Sequence, residues 1–281
     1  MGVKIGTDIE FVFERGGTLE HASNHLKFKD RFGTDGCSSV VEIRPYPSED
    51  PRYVINSLSR MMKMRVKRQP AIGKFNWLAG SIAAGKPVGG HIHFGTGGEP
   101  RGNEVKYLDT FLATSVGLTD HGPSLASRQS NSYGMLGSWR RQPWGWEYRT
   151  LPSFIVDKRF AEGVLTLAQK LVEHCLLNSH TTEELRDLDY LKLTDDEKSG
   201  YRRGELDITR TRFQERVAFL KKHIGGVNGN RKLDYMFRCV TKSATGRFSI
   251  ANTDIKKSWG IKLQPIVKRT LDEVWEGSAR V

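Results

Sequence analysis

Four short stretches set two ionisable residues around one apolar residue: Asp8-Ile9-Glu10, Glu42-Ile43-Arg44, His91-Ile92-His93 and Glu147-Tyr148-Arg149. On a β-strand, residues i and i+2 share a face and the residue between them points the other way. Four such strands in one sheet would gather four carboxylates, two imidazoles and two guanidiniums on one face. Ile9, Ile43, Ile92 and Tyr148 would pack on the opposite face. Acids at that density repel one another unless cations neutralise them. No cysteine accompanies Gly89-Gly90-His91-Ile92-His93-Phe94-Gly95, and the other donors are hard oxygens. A mixed oxygen and imidazole site for Mg²⁺ or Mn²⁺ therefore fits better than a zinc site. The implied chemistry is that of divalent metal and phosphate.

Each pair also has a plainer reading. Alternating polar residues occur on any half-exposed strand, and Glu147 with Arg149 or Glu42 with Arg44 could be ordinary ion pairs. The functional reading makes Glu147 a metal ligand and Arg149 a phosphate contact, because a guanidinium fork binds oxyanions bidentately. Arg128, Arg140 and Arg141 are further phosphate candidates, although Arg140-Arg141 could equally be a solvated pair. Asp35, in a glycine-flanked loop, reads as a ligand or a loop cap. The stretch 80–86 nearly matches a Walker A loop, but Pro87 stands where the metal-binding hydroxyl belongs, which excludes it. Gly95-Thr96-Gly97-Gly98 reads as a plain turn.

The elements that must position these residues follow from periodicity. Residues 3–13 and 38–44 read as strands, the second closed by Pro45 and Pro47. Residues 51–67 read as a helix with Asp50 as N-cap and Pro51 in the first turn. Residues 75–84 are ambiguous between strand and helix, 89–95 form a strand, and 103–118 and 158–177 are helices. Residues 123–150 look like an active-site loop feeding a strand at 146–150. Beyond 178 the composition changes. Thr181 and Glu184 make a capping box for one helix, 209–223 is a second, 232–240 is a weak strand and 266–275 a final helix. Domain bounds of 1–178 and 179–281 follow, with the second part mostly helical.

At 281 residues the chain fits one large domain or one domain with an appendage. No run of about 20 apolar residues could span a membrane, and the first residues enter a strand directly, so no signal peptide is expected. Three widely spaced cysteines, Cys37, Cys175 and Cys239, read as reduced thiols in a cytoplasmic protein. The net charge of +12 favours polyanions, but it is spread evenly over both halves and forms no basic tail.

Taken in order, the motifs resemble the glutamine-synthetase-like carboxylate–amine ligase superfamily, and are most similar to the type 2 carboxylate–amine ligases of tailed bacteriophages. The resemblance covers residues 3–155: acid-x-acid on the first strand, an Asp loop and a Glu, then Gly-His-x-His, then Glu-aromatic-Arg. It implies an α+β fold, with a curved antiparallel sheet whose concave face is the active site and whose other face carries helices. It also implies an ATP-dependent, ADP-forming ligase that makes an amide or isopeptide bond through an acyl phosphate. Asp8, Glu10, Glu42, His91 or His93, and Glu147 would hold Mg²⁺. Arg149, with Arg128 or Arg141, would bind the ATP phosphates, and Arg149, Glu147 and Glu42 would be the catalytic set. Asp8 replaces the Glu of many relatives, which leaves the number of metal ions open. Substrates would be small-molecule or peptide acids and amines, the location the host cytoplasm, and an oligomer is compatible with the reading. The rival is a metal-dependent nuclease or other nucleic-acid-processing enzyme. A guanidino-transferring kinase of the same superfamily ranks lower, because Cys37 lies in no such motif.

Overall fold

The computed structural model describes residues 2–177 and 180–262. Its strands, in chain order, are β1 (Lys4–Arg15), β2 (Thr18–Glu20), β3 (Phe32–Gly33), β4 (Val40–Ile43), β5 (Asn76–Ala79), β6 (Ile82–Ala83), β7 (Lys86–Pro87), β8 (Gly90–Gly95), β9 (Trp139–Gln142), β10 (Gly145–Tyr148) and β11 (Thr253–Asp254). All except β6 and β7 belong to one antiparallel sheet. The long β1 is its spine and is paired along both edges. Ile9 pairs with both Ile43 and Gly90, and Val12 with both Val40 and Leu78, so β4 lies on one edge and β8 and β5 on the other. From β8 the sheet continues to β10 and β9, and from β5 to β11.

One face of this sheet is apolar and fully covered. Ile5, Ile9, Phe11 and Phe13 alternate along β1, and Ile43, Ile92, Phe94, Trp146 and Tyr148 extend the same layer; all are at most 1% exposed. Two helices cover them. The first, α1 (Pro51–Arg68), starts where the Asp50 carboxylate accepts from the Arg52 amide at 2.9 Å, and buries Val54, Ile55, Leu58, Met62 and Val66. Asn103–Gly117 follows as one rod whose middle, Leu108–Ala113, winds as a π-helix between α2 (Asn103–Tyr107) and α3 (Thr114–Gly117). Next come α4 (Gly122–Ser130) and the second covering helix, α5 (Lys158–Leu176), capped by Asp157 through the Phe160 amide.

The remaining helices are α6 (Thr182–Leu191), α7 (Asp195–Arg203), α8 (Leu206–Arg210), α9 (Phe213–His223) and α10 (Arg231–Ser243). Three expectations change here. The weak strand expected at 232–240 is helix α10: Leu233, Met236, Phe237 and Val240 recur at three- and four-residue spacing and are buried, and Asn230 caps the first turn. That helix lies against α5 closely enough that a Cβ on Gly163 would stand 2.7 Å from the Met236 Cβ. The helix expected at 209–223 is two, broken between Arg210 and Phe213. The loop expected over 123–150 contains α4 and the edge strand β9, whose polar Arg140, Arg141 and Gln142 gave no apolar alternation to read. The helix expected at 266–275 lies outside the described residues.

The chain returns to the sheet near its end. β11 pairs with β5, the Ile255 amide donates to the Trp77 carbonyl at 3.0 Å, and the Trp259 indole donates to the Ile155 carbonyl. The stretch that nearly matched a Walker A loop is the β6–β7 hairpin, turned by Ala84 and Gly85, both at positive φ. A strand–loop–helix is absent there, in line with the exclusion made from Pro87. No helix among the described residues is long and apolar enough to cross a membrane.

Candidate active site

The second face of the sheet carries the polar residues. Register sets them side by side: Asp8 opposite His91, Glu10 opposite Glu42, Glu147 opposite His93 and, on the edge strand, Arg140 opposite Glu147. The structure thus brings Asp8, Glu10, Glu42, His91, His93 and Glu147 onto one face, with Arg44 and Arg149 just past the ends of β4 and β10. Towards β5 that face turns apolar, as Val12, Val40 and Leu78 pack under Ala83 and Val88 of the hairpin region. The polar patch is therefore walled on one side.

Glu147 lies at the centre and is fully buried. Its Oε2 accepts from Arg140 Nε (3.0 Å), Arg140 Nη2 (2.7 Å) and Gln142 Nε2 (2.9 Å). Its Oε1 faces His91 Nδ1 at 3.3 Å and Arg149 Nη1 at 3.2 Å, but has no hydrogen-bond partner. His93 Nε2 stands 3.1 Å from Asp8 Oδ2 and likewise has no hydrogen-bond partner of acceptable geometry. Ligand atoms of Asp8, His93 and Glu147 all lie within 4.8 Å of one another. Orphaned buried polar atoms are costly. Two of them, on residues whose ligand atoms cluster with that of Asp8, fit the donor set a divalent cation would satisfy.

A second arm of the site runs through Glu10. Its Oε2 accepts from the Gly89 amide (2.6 Å) and the Tyr133 hydroxyl (2.7 Å), and Tyr133 Oη is 2.9 Å from His91 Nε2. With the phenol proton on Glu10, Nε2 of His91 must carry its own proton and Nδ1 is left as a lone pair facing Glu147 Oε1. Burial, then the charges of Arg149 and Arg128, hold His91 well below its ordinary pKa, so the imidazole is neutral. A lone pair aimed at a carboxylate oxygen again marks a place for a cation. The carboxyls show the same strain. Burial, then the negative charge of Asp8, pushes Glu42 up to about 8, although Arg44 Nε at 2.9 Å opposes the shift. Burial raises Glu10 as well.

The arginines divide. Arg149 reaches the cluster and is partly exposed. Arg141 does not: it shares the opposite side of β9 with Trp146, is exposed, and pairs with Glu99 at 3.2 Å. Arg128 is fully buried, donating to the Thr150 and Leu151 carbonyls at 2.7 Å each and lying 4.7 Å from the Tyr133 ring centre. It supports the exit of β10 and the Tyr133 loop and has no path to an external phosphate. Arg44 joins Glu42 to Asp35, 3.0 Å away, and so balances charge at the rim. Tyr133 and Gln142 were absent from the sequence-derived set. Gln142 was signalled by strand alternation from Arg140, whereas Tyr133, on a loop, had no periodic signal.

Two clefts flank the cluster. One of about 360 Å³ is lined by Lys4, Asp8, Arg31, Arg44, His93 and Trp144, whose ring lies over His93 with centres 4.9 Å apart. The other, about 220 Å³, is lined by Glu10, Asp35, Cys37, Lys86 and Tyr133. A larger hollow of about 560 Å³ between α6 and α9 contains none of these residues.

Comparison with curated proteins found no match. The family described as phage phiEco32-like COOH.NH2 ligase-type 2 matches residues 5–261, which includes every strand of the sheet except the first residue of β1 and all the helices named above. This supports a ligase and lends nothing to the nuclease reading. With nearly the whole chain matched and the ordered acid, imidazole and arginine motifs together on one sheet face, the protein belongs to the phage phiEco32-like carboxylate–amine ligase type 2 family.

Proposed function

We propose that the protein is an ATP-dependent, Mg²⁺-requiring carboxylate–amine ligase that works through an acyl phosphate on a glutamine-synthetase-like, curved sheet. The observation that carries this reading is the cluster of ligand atoms from Asp8, His93 and Glu147 beside Arg149, with His93 Nε2 and Glu147 Oε1 left without hydrogen-bond partners. A carboxylate is a poor electrophile. Transfer of the γ-phosphoryl group from ATP to one carboxylate oxygen gives ADP and an acyl phosphate. Attack by the amine then forms the C–N bond, releases inorganic phosphate and leaves the amine proton to be removed.

Asp8, His93 and Glu147, with Glu10, Glu42 and His91 around them, would hold Mg²⁺, with Mn²⁺ as a substitute. Bound there, the metal would neutralise phosphoryl oxygens as charge moves between them. Arg149 would turn from Glu147 to the transferring group and grip two of its oxygens. Arg140 and Gln142 hold the Glu147 carboxylate oriented from behind. Tyr133 fixes both Glu10 and the His91 tautomer. The two flanking clefts give the nucleotide and the acid–amine pair separate approaches to the same point, and the basic lining of the larger one, Lys4, Arg31 and Arg44, suits an anionic substrate.

The test is a screen for ADP release with Mg²⁺-ATP across amino acids, polyamines and peptides. A productive pair should yield a product with the mass of acid plus amine minus water. Glu10→Gln and Glu147→Gln should both abolish it in folded protein. ADP release that is unchanged in both variants, or product formation without nucleotide, sinks the assignment.

A further inference from the structure

A second group of metal-type ligands lies away from the sheet, among the helices. His174 is in the last turn of α5, and His180 and Glu184 stand at the start of α6. Their ligand atoms lie within 4.8 Å of one another. His174 Nε2 is 2.6 Å from Glu184 Oε1, His180 Nδ1 is 2.9 Å from it, and the Tyr107 hydroxyl, at the end of α2, is 2.7 Å from it. All three address the same oxygen atom. Two imidazole nitrogens and a phenol thus converge on one buried carboxylate oxygen.

The surroundings ask for something more than a hydrogen bond. Of the ten residues of α6, only Glu184 and Leu191 are buried. A helix of that length needs an apolar stripe or a tertiary anchor to stay formed. Here Leu188 and Leu191 pack against the core, and the buried carboxylate of Glu184 is anchored beside them. Glu184 is buried, and His174, Tyr107 and His180 meet at its Oε1. A carboxylate oxygen and two imidazoles within 4.8 Å of one another form a zinc-type donor set, softer than the oxygen-rich cluster on the sheet.

We propose that His174, His180 and Glu184 form a structural Zn²⁺ site that staples α6 to α5 and α2, with Tyr107 or a water completing the fourth position. Tetrahedral zinc with bonds of about 2.0–2.1 Å spaces its donors roughly 3.3 Å apart. The two imidazole–carboxylate gaps of 2.6 and 2.9 Å need open only by roughly half an ångström to reach that. The site shares no residue with the sheet cluster, so it stands whether or not the ligase mechanism does.

The experiment uses the full chain, stripped with chelator and desalted, with bound metal counted by mass spectrometry after adding Zn²⁺. The background carries Asp8→Asn, His93→Gln and Glu147→Gln, which silence the sheet cluster. The expected result is one retained equivalent of Zn²⁺, lost when His180→Gln or Glu184→Gln is added. A second reading uses wild-type protein with millimolar Mg²⁺ present. The first equivalent of Co²⁺ should then give the visible bands of a tetrahedral nitrogen–oxygen site, and Zn²⁺ should bleach them. No retained zinc in the background protein, the same zinc count after His180→Gln, or a wild-type protein without those bands would each overturn the site and leave a hydrogen-bonded carboxylate.

Discussion

Replacing Glu147 with glutamine separates the site's stability from its chemistry. The amide oxygen can keep the Oε2 position and accept from Arg140 and Gln142, while its NH₂ turns to the Oε1 position and donates to the free Nδ1 of His91. The two bonds from Arg140 lose their charged acceptor but keep a charged donor, and the Gln142 bond becomes neutral, at a cost of about 1 kcal/mol each. Removing a fully buried charge offsets much of that. Metal-free Glu147→Gln should therefore melt within about 5 °C of wild type. With Mg²⁺ the two should part. At a concentration of 100 times Kd, binding stabilises wild type by about 2.7 kcal/mol, or roughly 5–10 °C for a chain of this size, and the variant should gain almost nothing. Turnover should fall by at least about 10³, the scale expected when a preorganised electrostatic group is lost from a transition state. Paired melts with and without Mg²⁺, and ADP release under the same buffer, make the comparison. A folded variant that keeps both the Mg²⁺ shift and turnover within tenfold of wild type would refute the placement of the metal at Glu147 Oε1.

Other outcomes follow from the same geometry. Arg140→Ala should depress turnover by about 10²-fold, whereas Arg141→Ala, on the outer side of the edge strand, should leave kcat within twofold. Arg128→Met should lower stability by about 3 kcal/mol or more, because two buried carbonyls lose their donors, and a urea melt reads this directly; an unchanged midpoint contradicts its supporting role. The raised Glu42 pKa sets a pH dependence. The folded state holds a proton from the ordinary value of 4.5 up to about 8, so metal-free protein should lose stability as pH rises through that window, and Mg²⁺ should flatten the loss. Melting temperatures at pH 5, 6.5 and 8 with chelator or Mg²⁺ test the sign.

The four polar-apolar-polar stretches were legible because strand alternation is a local property. It set Ile9, Ile43, Ile92 and Tyr148 on the buried face and their neighbours on the other. What alternation lacks is register. That Glu10 meets Glu42 while Asp8 meets His91 depends on long-range pairing, and so does the choice of Arg140 over Arg141, whose types are identical and whose faces are opposite. Arg128 misled for a different reason: a buried guanidinium serving two carbonyls and an external phosphate-binding one look alike in sequence. α10 was misread although its apolar spacing is helical, because Tyr235, Phe237 and Val240 also favour strands.

The spine strand has a consequence for how the molecule is made. β1 leaves the ribosome before its partners, which lie near residues 40, 77 and 92, and among the described residues the edge beyond β5 is covered by residues 253 and 254. Pairings so distant in sequence form slowly, and an uncovered edge is a template for another chain. During synthesis the residues of the future active site are thus all translated well before their sheet can close. Slowed translation or a shortage of holding chaperones late in the chain should therefore show as edge-to-edge aggregation of long nascent fragments rather than as misfolded full-length protein.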